Sequence, residues 1–324
     1  MPPSSWTGVA AAPCLACAVA LAGWVGSSAE LNELRASYAS DVTSGPFPRQ
    51  LTDPLGNAHT LGEPPRRIVS AALVADEILL ELVEPERLAA VSYLIDDPLA
   101  SPGAGRAPAG AARLLGPVEP IAAVDGDLVI VGAFASAESI GLLGSTGAPV
   151  LGLVHFGSFS DIQHNIELLG RATGADSKAA ALNAGLQSRL LAVSRLPKPE
   201  PPPRVLALAG GFVFGAGTLV DECVRLAGAR NAAAEAGLRA EGTLSMEVVL
   251  SSDPELIVVS APLSEPRRRA PELLEPAELW RELGAVRRGA VHALPAAWLG
   301  SISQHAILAL EALALLVREP VGGA

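Results

Sequence analysis

Two short stretches of the chain share one order of polar and apolar positions. Residues 119–131 read EPIAAVDGDLVIV, and residues 247–259, which lie 128 positions further along, read EVVLSSDPELIVV. In each stretch a Glu opens a short apolar helix, an acidic residue (Asp127, Glu255) follows eight positions later, and a run of Leu, Val and Ile closes it. Apolar runs of this length are typical of buried parallel strands that are each fed by a helix. The repeat therefore predicts two similar α/β lobes, with a ligand held in the gap between them.

The sequence around the repeat alternates between strand and helix patterns, as in parallel α/β sheets. Strands are predicted at residues 67–70, 88–93, 150–154, 204–209 and 291–294, helices at residues 75–83, 137–145, 176–196, 219–228 and 303–317, and a β-hairpin at residues 51–61. The helix at 176–196 has about 20 residues, which at 1.5 Å per residue form a rod of about 30 Å. A rod of that length is long enough to connect the two lobes.

Composition divides the chain into successive segments. Residues 9–25 are uncharged and mostly apolar, and residues 27–29 are the small residues that a signal peptidase prefers. Because no Lys or Arg precedes this run, it is either a cleaved export signal or a retained membrane anchor. The predicted divisions are a signal or anchor at 1–29, a linker at 30–49, an N-terminal α/β lobe at 50–170, a connecting helix at 171–197 and a C-terminal α/β lobe at 203–319.

Charge and cysteine content exclude several classes of function. The formal net charge is −11 at pH 7, and phosphate binding needs a basic face, so we expect no nucleic-acid partner. Cys223 is the one cysteine that remains once the leader is removed, which excludes an intramolecular disulfide and a cysteine metal cluster. The His residues show no metal-ligand spacing. We therefore predict no metal site and no resident cofactor.

The glycine-rich turn at residues 210–218 (GGFVFGAGT) raises an enzyme alternative. Gly residues before a helix could cradle the phosphates of a nucleotide-type cofactor in an α/β enzyme. The spacing matches neither GxGxxG nor GxxxxGK followed by Ser or Thr, and no GxSxG nucleophile motif occurs. We therefore predict that the protein is not an enzyme, and keep this cofactor site as the alternative.

Six segments, in their order and spacing, resemble the substrate-binding proteins of ABC importers for ferric siderophores, haem and cobalamin. They are PPRRIVSAALVADEILLELVEPERLAAVS, DLVIVG, FGSFSDIQHNIELLGRATG, GAGTLVDECVRLAGARNAAAEAG, LSMEVVLSSDPELIVVS and LWRELGAVRRGAVHALP. The resemblance implies the class III periplasmic-binding-protein fold, in which two Rossmann-like lobes are joined by a single long helix. It also implies an exported periplasmic monomer that captures a metal chelate (siderophore, corrinoid or haem) in the cleft between the lobes and delivers it to an inner-membrane ABC importer.

The same resemblance implies how the permease is contacted. In this family a surface Glu on each lobe, at the positions of Glu119 and Glu247, pairs with arginines of the membrane permease. The alternative is that each Glu merely complements the dipole of the helix that it opens. The matching positions in both halves favour docking.

The resemblance also implies a set of ligand contacts. Arg113 falls where ferric-hydroxamate binders place a ligand-contacting Arg, whose planar fork suits oxygen-rich chelates, although a surface Arg in a loop is an equal alternative. Glu241 is its counterpart before the second repeat. Aromatic side chains at strand or turn exits are expected to contact a large flat chelate, and His155 could bind haem iron or a ligand oxygen. The predicted ligand-binding residues are Arg113, Tyr93, Phe134, His155, Phe212, Glu241 and Trp298.

Overall fold

The computed structural model describes residues 40–115, 121, 123–132, 137–274 and 277–319. These residues form two compact units. The N-terminal lobe comprises the described residues from 40 to 188 together with 301–304, and the C-terminal lobe comprises those from 189 to 300 and from 305 to 319. The first division falls inside the helix Asp176–Ser194.

The N-terminal lobe is built on a parallel sheet. A separate antiparallel sheet of β1 (Asp41–Val42), β2 (Arg49–Thr52) and β3 (Ala58–Leu61) contains the predicted hairpin. The parallel strands are β4 (Ile68–Ser70), β5 (Leu88–Ser92), β6 (Ala112–Leu114), β7 (Leu128–Gly132) and β8 (Val150–Leu153). Their order is β6-β5-β4-β7-β8, and every neighbouring pair is parallel.

The C-terminal lobe is built on a mixed sheet. Its strands are β9 (Arg204–Ala209), β10 (Phe212–Phe214), β11 (Arg230–Asn231), β12 (Glu241–Gly242), β13 (Leu256–Ala261), β14 (Arg267–Arg268) and β15 (Val291–Pro295). The main order is β12-β10-β9-β13-β15-β14, and β11 pairs with β9. The inner strands β9, β13 and β15 are parallel, as predicted, whereas β10, β12 and β14 add antiparallel edges.

Helices connect these strands. They are α1 (Leu73–Leu82), α2 (Ala137–Gly144), α3 (Phe159–Thr173), α4 (Asp176–Ser194), α5 (Leu219–Leu226), α6 (Ala232–Glu235), α7 (Met246–Ser252), α8 (Ala277–Trp280), α9 (Gly284–Arg287), α10 (Ala296–Leu299) and α11 (Ala306–Leu316). α4 begins at Asp176, whose carboxylate accepts two hydrogen bonds from Arg49 at 2.9 and 3.2 Å. Within the described ranges, no helix has the length and apolar character that crossing a membrane requires. The apolar run at 9–25 lies outside those ranges.

Each lobe has its own apolar core beneath its sheet. In the N-terminal lobe, Val69, Val129 and Val131 of the sheet pack with Ile140 and Leu143 of α2. In the C-terminal lobe the core includes Leu206, Ile257, Val291, Trp280 and Leu283. Cys223 is buried in the C-terminal lobe, and burial raises the pKa of its thiol.

The two copies of the repeat lie in different sheets. The strand of the first copy is β7 in the N-terminal lobe, and the strand of the second copy is β13 in the C-terminal lobe. The helix of the second copy is α7, whereas most of the helix predicted for the first copy lies outside the described residues. The α/β architecture predicted from the repeat is therefore confirmed.

The acidic residue inside each repeat fixes the first inner strand of its lobe. Asp127 accepts hydrogen bonds from the backbone N–H groups of Arg66 (2.6 Å) and Arg67 (2.9 Å), just before β4. Glu255 accepts one from the backbone N–H of Arg204 (2.8 Å), at the start of β9. Charge-assisted bonds of this kind are stronger than neutral ones. We call each arrangement a carboxylate lock, because it holds the entry of one strand against the entry of its neighbour.

The backbone beside the first lock is closely packed. Gly126 precedes Asp127, and a Cβ at Gly126 would lie 2.6 Å from Val69 Cγ2, closer than packed carbon atoms come. A glycine is therefore required where the chain enters β7 beside β4.

Asp127→Ala is expected to lower the free energy of unfolding by about 1–2 kcal/mol, because two backbone N–H groups lose a charged acceptor. Urea unfolding followed by circular dichroism measures this change. The matched control is Asp125→Ala, two residues earlier, where a carboxylate that is 97% exposed lies 3.8 Å from the Arg67 Nε atom. That pair should contribute less than about 0.5 kcal/mol. Equal losses in the two variants would contradict the lock.

Candidate functional site

The carboxyl ends of the parallel strands carry the candidate residues of the N-terminal lobe. In open α/β sheets this edge borders the ligand crevice. Tyr93 directly follows β5 and opens a single 3-10 turn, Tyr93–Asp96, in which the Ser92 hydroxyl accepts a hydrogen bond from the Leu94 N–H. Tyr93 is half-buried, so part of its ring remains open to contact.

Arg113 lies beside this turn, in the edge strand β6. Its Nε and Nη2 atoms donate to the two carboxylate oxygens of Asp96, at 2.5 and 3.2 Å. Its Nη1 atom donates to the carbonyl oxygens of Pro108 (3.0 Å) and Ala111 (2.7 Å). Four of the five N–H groups of the guanidinium are therefore engaged within the N-terminal lobe. The structure brings Tyr93 and Arg113 together, and it adds Asp96, a partner that the sequence did not identify.

His155 lies at the other side of the same sheet. It follows β8, and its backbone carbonyl accepts a hydrogen bond from Asn165 Nδ2 at 2.8 Å. Since β8 and β6 are the two edges of the five-stranded sheet, four strand spacings of about 4.8 Å place their ends about 19 Å apart. His155 and Arg113 therefore do not form one cluster. Among the described residues no group of three or more His, Cys, Asp or Glu side chains has the geometry of a metal site.

Two adjacent carboxyl groups are buried in α1, behind Tyr93 and Arg113. The sequence indicates Asp76 and Glu77 as first-turn acids that complement the helix dipole, but both side chains are buried. Burial raises the pKa of Asp76 well above its usual range, although hydrogen bonds from Ser70 and the Ser92 N–H and the charge of Arg113 act in the opposite direction. The helix-dipole interpretation was therefore incomplete, because these acids serve as internal hydrogen-bond acceptors.

Glu77 binds the short segment 301–304, which belongs to the N-terminal lobe although it lies between two C-terminal-lobe helices, α10 and α11. The side-chain amide of Gln304 donates to the backbone carbonyl of Glu77 at 2.8 Å. The Ser101 hydroxyl donates to the Glu77 carboxylate at 2.5 Å. Burial raises the pKa of Glu77 to about 7, although hydrogen bonds to Ser101 and Ser303 lower it. No pattern in the sequence indicates this contact, because it joins positions far apart in the chain.

The C-terminal lobe places its candidates around two strand ends. Phe212 begins β10, directly after the turn that follows β9, and is half-buried. Glu241 lies in β12 opposite Phe214 of β10. Trp298 lies in α10, immediately after β15, and is half-buried between the buried Ala297 and Leu299. Phe212 and Trp298 therefore follow the carboxyl ends of the parallel strands β9 and β15.

The glycine-rich turn at residues 210–218 is not a phosphate cradle. It contains the antiparallel strand β10, whereas a nucleotide turn joins a parallel strand directly to a helix. The backbone N–H groups of Gly215 and Ala216 donate to the carbonyls of Ala240 (2.8 Å) and Leu238 (2.9 Å). The N–H of Gly217 points to the Asp221 carboxylate at 3.4 Å, which would repel a phosphate. The contacts that a nucleotide needs are thus already made by the protein itself.

Two predicted residues, Glu119 and Phe134, lie outside the described residues. Glu247, which the docking prediction pairs with Glu119, is exposed in the first turn of α7. The pKa of Glu247 is lowered by a hydrogen bond from its own backbone N–H and by one from Ser245. Its side chain is therefore an exposed anion at neutral pH.

A shallow depression of about 430 Å³ lies at the opposite end of β5 from Tyr93. Its lining residues are Arg67, Pro85, Glu86, Leu88, Ala89, Pro108, Gly110 and Ala111. Of the predicted ligand-binding residues that the structure describes, none lines this depression.

Comparison with known proteins gives one family and several similar structures. Residues 68–297 match the family described as periplasmic binding protein. A cobalamin-binding protein of Halobacterium salinarum is 26% identical over 267 residues, which cover 80% of this chain and 71% of that protein. The residues that match the family run from β4 through β15, and so include the parallel strands of both lobes.

Solved structures share the fold. The periplasmic haem-binding protein RhuT of Roseiflexus sp. RS-1 aligns with a TM-score of 0.63 and 24% identity, over 78% of this chain and 97% of that one. A protein of an ABC-type Fe3+-hydroxamate transport system from Saccharomonospora viridis aligns with a TM-score of 0.63 and 20% identity, over 85% and 100%. A periplasmic binding protein of Veillonella parvula aligns with a TM-score of 0.69 and 16% identity, over 86% and 97%. The predicted class III fold is confirmed.

Glu77→Gln is expected to change how stability depends on pH. Because the pKa of Glu77 is raised from 4.5 to about 7 in the folded protein, the folded state favours the neutral acid. Between pH 5 and pH 8, the free energy of unfolding of the wild-type protein should therefore fall by about 2–3 kcal/mol more than that of the Gln variant.

Urea unfolding at the two pH values measures this difference. Glu247→Gln is the control, because the lowered pKa of this exposed residue gives a pH dependence of the opposite sign. If wild type and Glu77→Gln differ by the same amount at both pH values, Glu77 does not titrate as the structure requires.

Proposed function

The chain belongs to the periplasmic binding protein family, and from that premise we propose that it captures a metal chelate and delivers it to an inner-membrane ABC importer. Similar proteins are named for binding cobalamin, haem and ferric hydroxamate. The observation that carries the proposal is the position of the half-buried aromatic residues. Tyr93 in one lobe and Phe212 and Trp298 in the other all follow parallel strands at their carboxyl ends.

Aromatic side chains at these positions suit a corrin, porphyrin or hydroxamate surface. Each offers a flat apolar face, to which the Tyr93 hydroxyl and the Trp298 indole N–H add a polar group. The proposed mechanism is binding without chemistry, which agrees with the engaged N–H groups of the glycine-rich turn. His155 remains a proposed contact that a larger chelate would reach, and Phe134 remains a proposed contact from the sequence.

The proposed ligand class is tested by titrating the complete chain with cyanocobalamin, haem and ferrioxamine. We expect saturable one-to-one binding of at least one of them, accompanied by a change in tryptophan fluorescence that Trp298→Phe reduces. Incubation with nucleotides and esters serves as the control. Turnover of a nucleotide or an ester, without binding of any chelate, would favour the enzyme alternative instead.

Delivery to the permease is proposed to use Glu119 and Glu247. Glu247 supports this role because it is an exposed anion on a short surface helix, available to an arginine of a partner. The neighbouring Leu250 is also exposed, so the same helix offers an apolar contact. Arginine and carboxylate pair in a bidentate geometry that sets position as well as affinity.

The double change Glu119→Arg and Glu247→Arg should leave ligand affinity within about twofold and reduce uptake more than about tenfold, because opposed arginines repel. Membrane vesicles that contain the cognate permease provide the uptake measurement. Glu265→Arg is the control, since it makes the charge change of one of the two substitutions at another exposed residue of the C-terminal lobe. Loss of ligand binding in the double variant, or equal loss of uptake in the control, would contradict a docking role.

A further inference from the structure

The charge of Arg113 is already paired in the described structure. Asp96 contacts its Nε and Nη2 atoms in a side-on geometry, and two backbone carbonyls hold its Nη1 atom. The Arg113 and Asp96 side chains remain 27% and 43% exposed, so this pair lies at the surface of the lobe, where a ligand can reach it. A bidentate pair of this kind is the geometry that an anionic ligand would itself need.

The surroundings of the pair are acidic. Asp97 follows Asp96 and is exposed, with its carboxylate accepting the N–H of Leu99 at 2.8 Å. Asp76 lies buried on the inner side of Arg113, close enough for electrostatic interaction. The exposed carboxylates of Asp96 and Asp97 therefore outnumber Arg113 at this turn, in a chain with a net charge of −11.

We propose that Asp96 is a specificity-determining residue that masks Arg113, so that the site accepts chelates without net negative charge and disfavours anionic ones. The inference rests on the proposed chelate-binding function and refines its ligand class. An anionic chelate must either displace Asp96 from Arg113 or place its own charge beside that carboxylate. A neutral chelate does neither and can use the one remaining N–H of Arg113 as a hydrogen-bond donor.

The test compares chelates that share one metal centre and differ in charge. Three matched pairs of a neutral and an anionic form are acetylated and succinylated ferrioxamine, cyanocobalamin and its monocarboxylate, and haem dimethyl ester and haem. Calorimetric titration of the complete chain gives the dissociation constant of each. In every pair that binds, we expect the neutral form to bind about tenfold more tightly, since like charges brought together oppose binding.

Asp96→Asn should abolish this preference, because it leaves Arg113 charged and unmasked. Affinity for the anionic form should rise about tenfold while affinity for the neutral form changes less than about threefold. Asp97→Asn is the matched control, since it removes the same charge one residue away without freeing Arg113. Asp96→Glu should restore the wild-type order.

Three outcomes would overturn the inference. Equal weakening of both forms by Asp96→Asn would mean that Asp96 acts only on the fold of the turn. Binding of the wild-type chain without regard to ligand charge would show that Arg113 is not masked, although the proposed function would stand. Absence of saturable binding to all six chelates would instead remove the proposed function itself, and this inference with it.

Discussion

The architecture depends on one interaction that occurs once in each lobe. A carboxylate at the entry of the second inner strand accepts hydrogen bonds from the backbone at the entry of the first. Asp127 does this for β4, and Glu255 does it for β9. The register of β4 with β7, and of β9 with β13, follows directly from these locks. A shift of one residue would turn every side chain of a strand to the other face of the sheet, so the register is strongly constrained. Holding the first residues of a strand in place therefore also sets where its last residues lie.

The locked strands and their neighbours in each sheet end at residues that we assign to the ligand, namely Tyr93, His155, Phe212 and Trp298. Parallel strands that start in register also end together, so the loops after β5, β9 and β15 lie at one edge of their own sheet. The buried acids Asp76 and Glu77 sit directly beneath this edge in the N-terminal lobe and hold the Ser92 N–H and the segment 301–304. Buried hydrogen bonds therefore hold the residues at this edge in place. Removing Asp76 and Glu77 from water disfavours their charged forms, which raises the pKa values of both side chains.

Sequence patterns predict the parts of this fold that local physics decides. The apolar runs at β7 and β13, the hairpin and the long α4 follow from periodicity and turn residues, and all are present. The strand β10, which lies inside the predicted turn at 210–218, was not predicted, since a three-residue strand between glycines has no periodic pattern. The pairing of Arg113 with Asp96 was also not predicted, because it depends on the turn after β5 lying against β6. The same holds for the segment 301–304, whose burial depends on contacts with residues more than 200 positions away. Glu119 and Phe134, for which the sequence predicts permease docking and ligand binding, lie outside the described residues.

If a chelate is held at the carboxyl ends of the strands of both lobes, its binding must protect the backbone there. Amide hydrogen exchange of the complete chain, measured with and without a saturating chelate from the cyanocobalamin, haem and ferrioxamine panel, tests this most directly. We expect slower exchange at residues 93–97 and at residues 210–214 and 296–299, with no change at residues 85–89 around the shallow depression. Protection confined to residues 85–89, or to one lobe alone, would contradict binding at the strand ends.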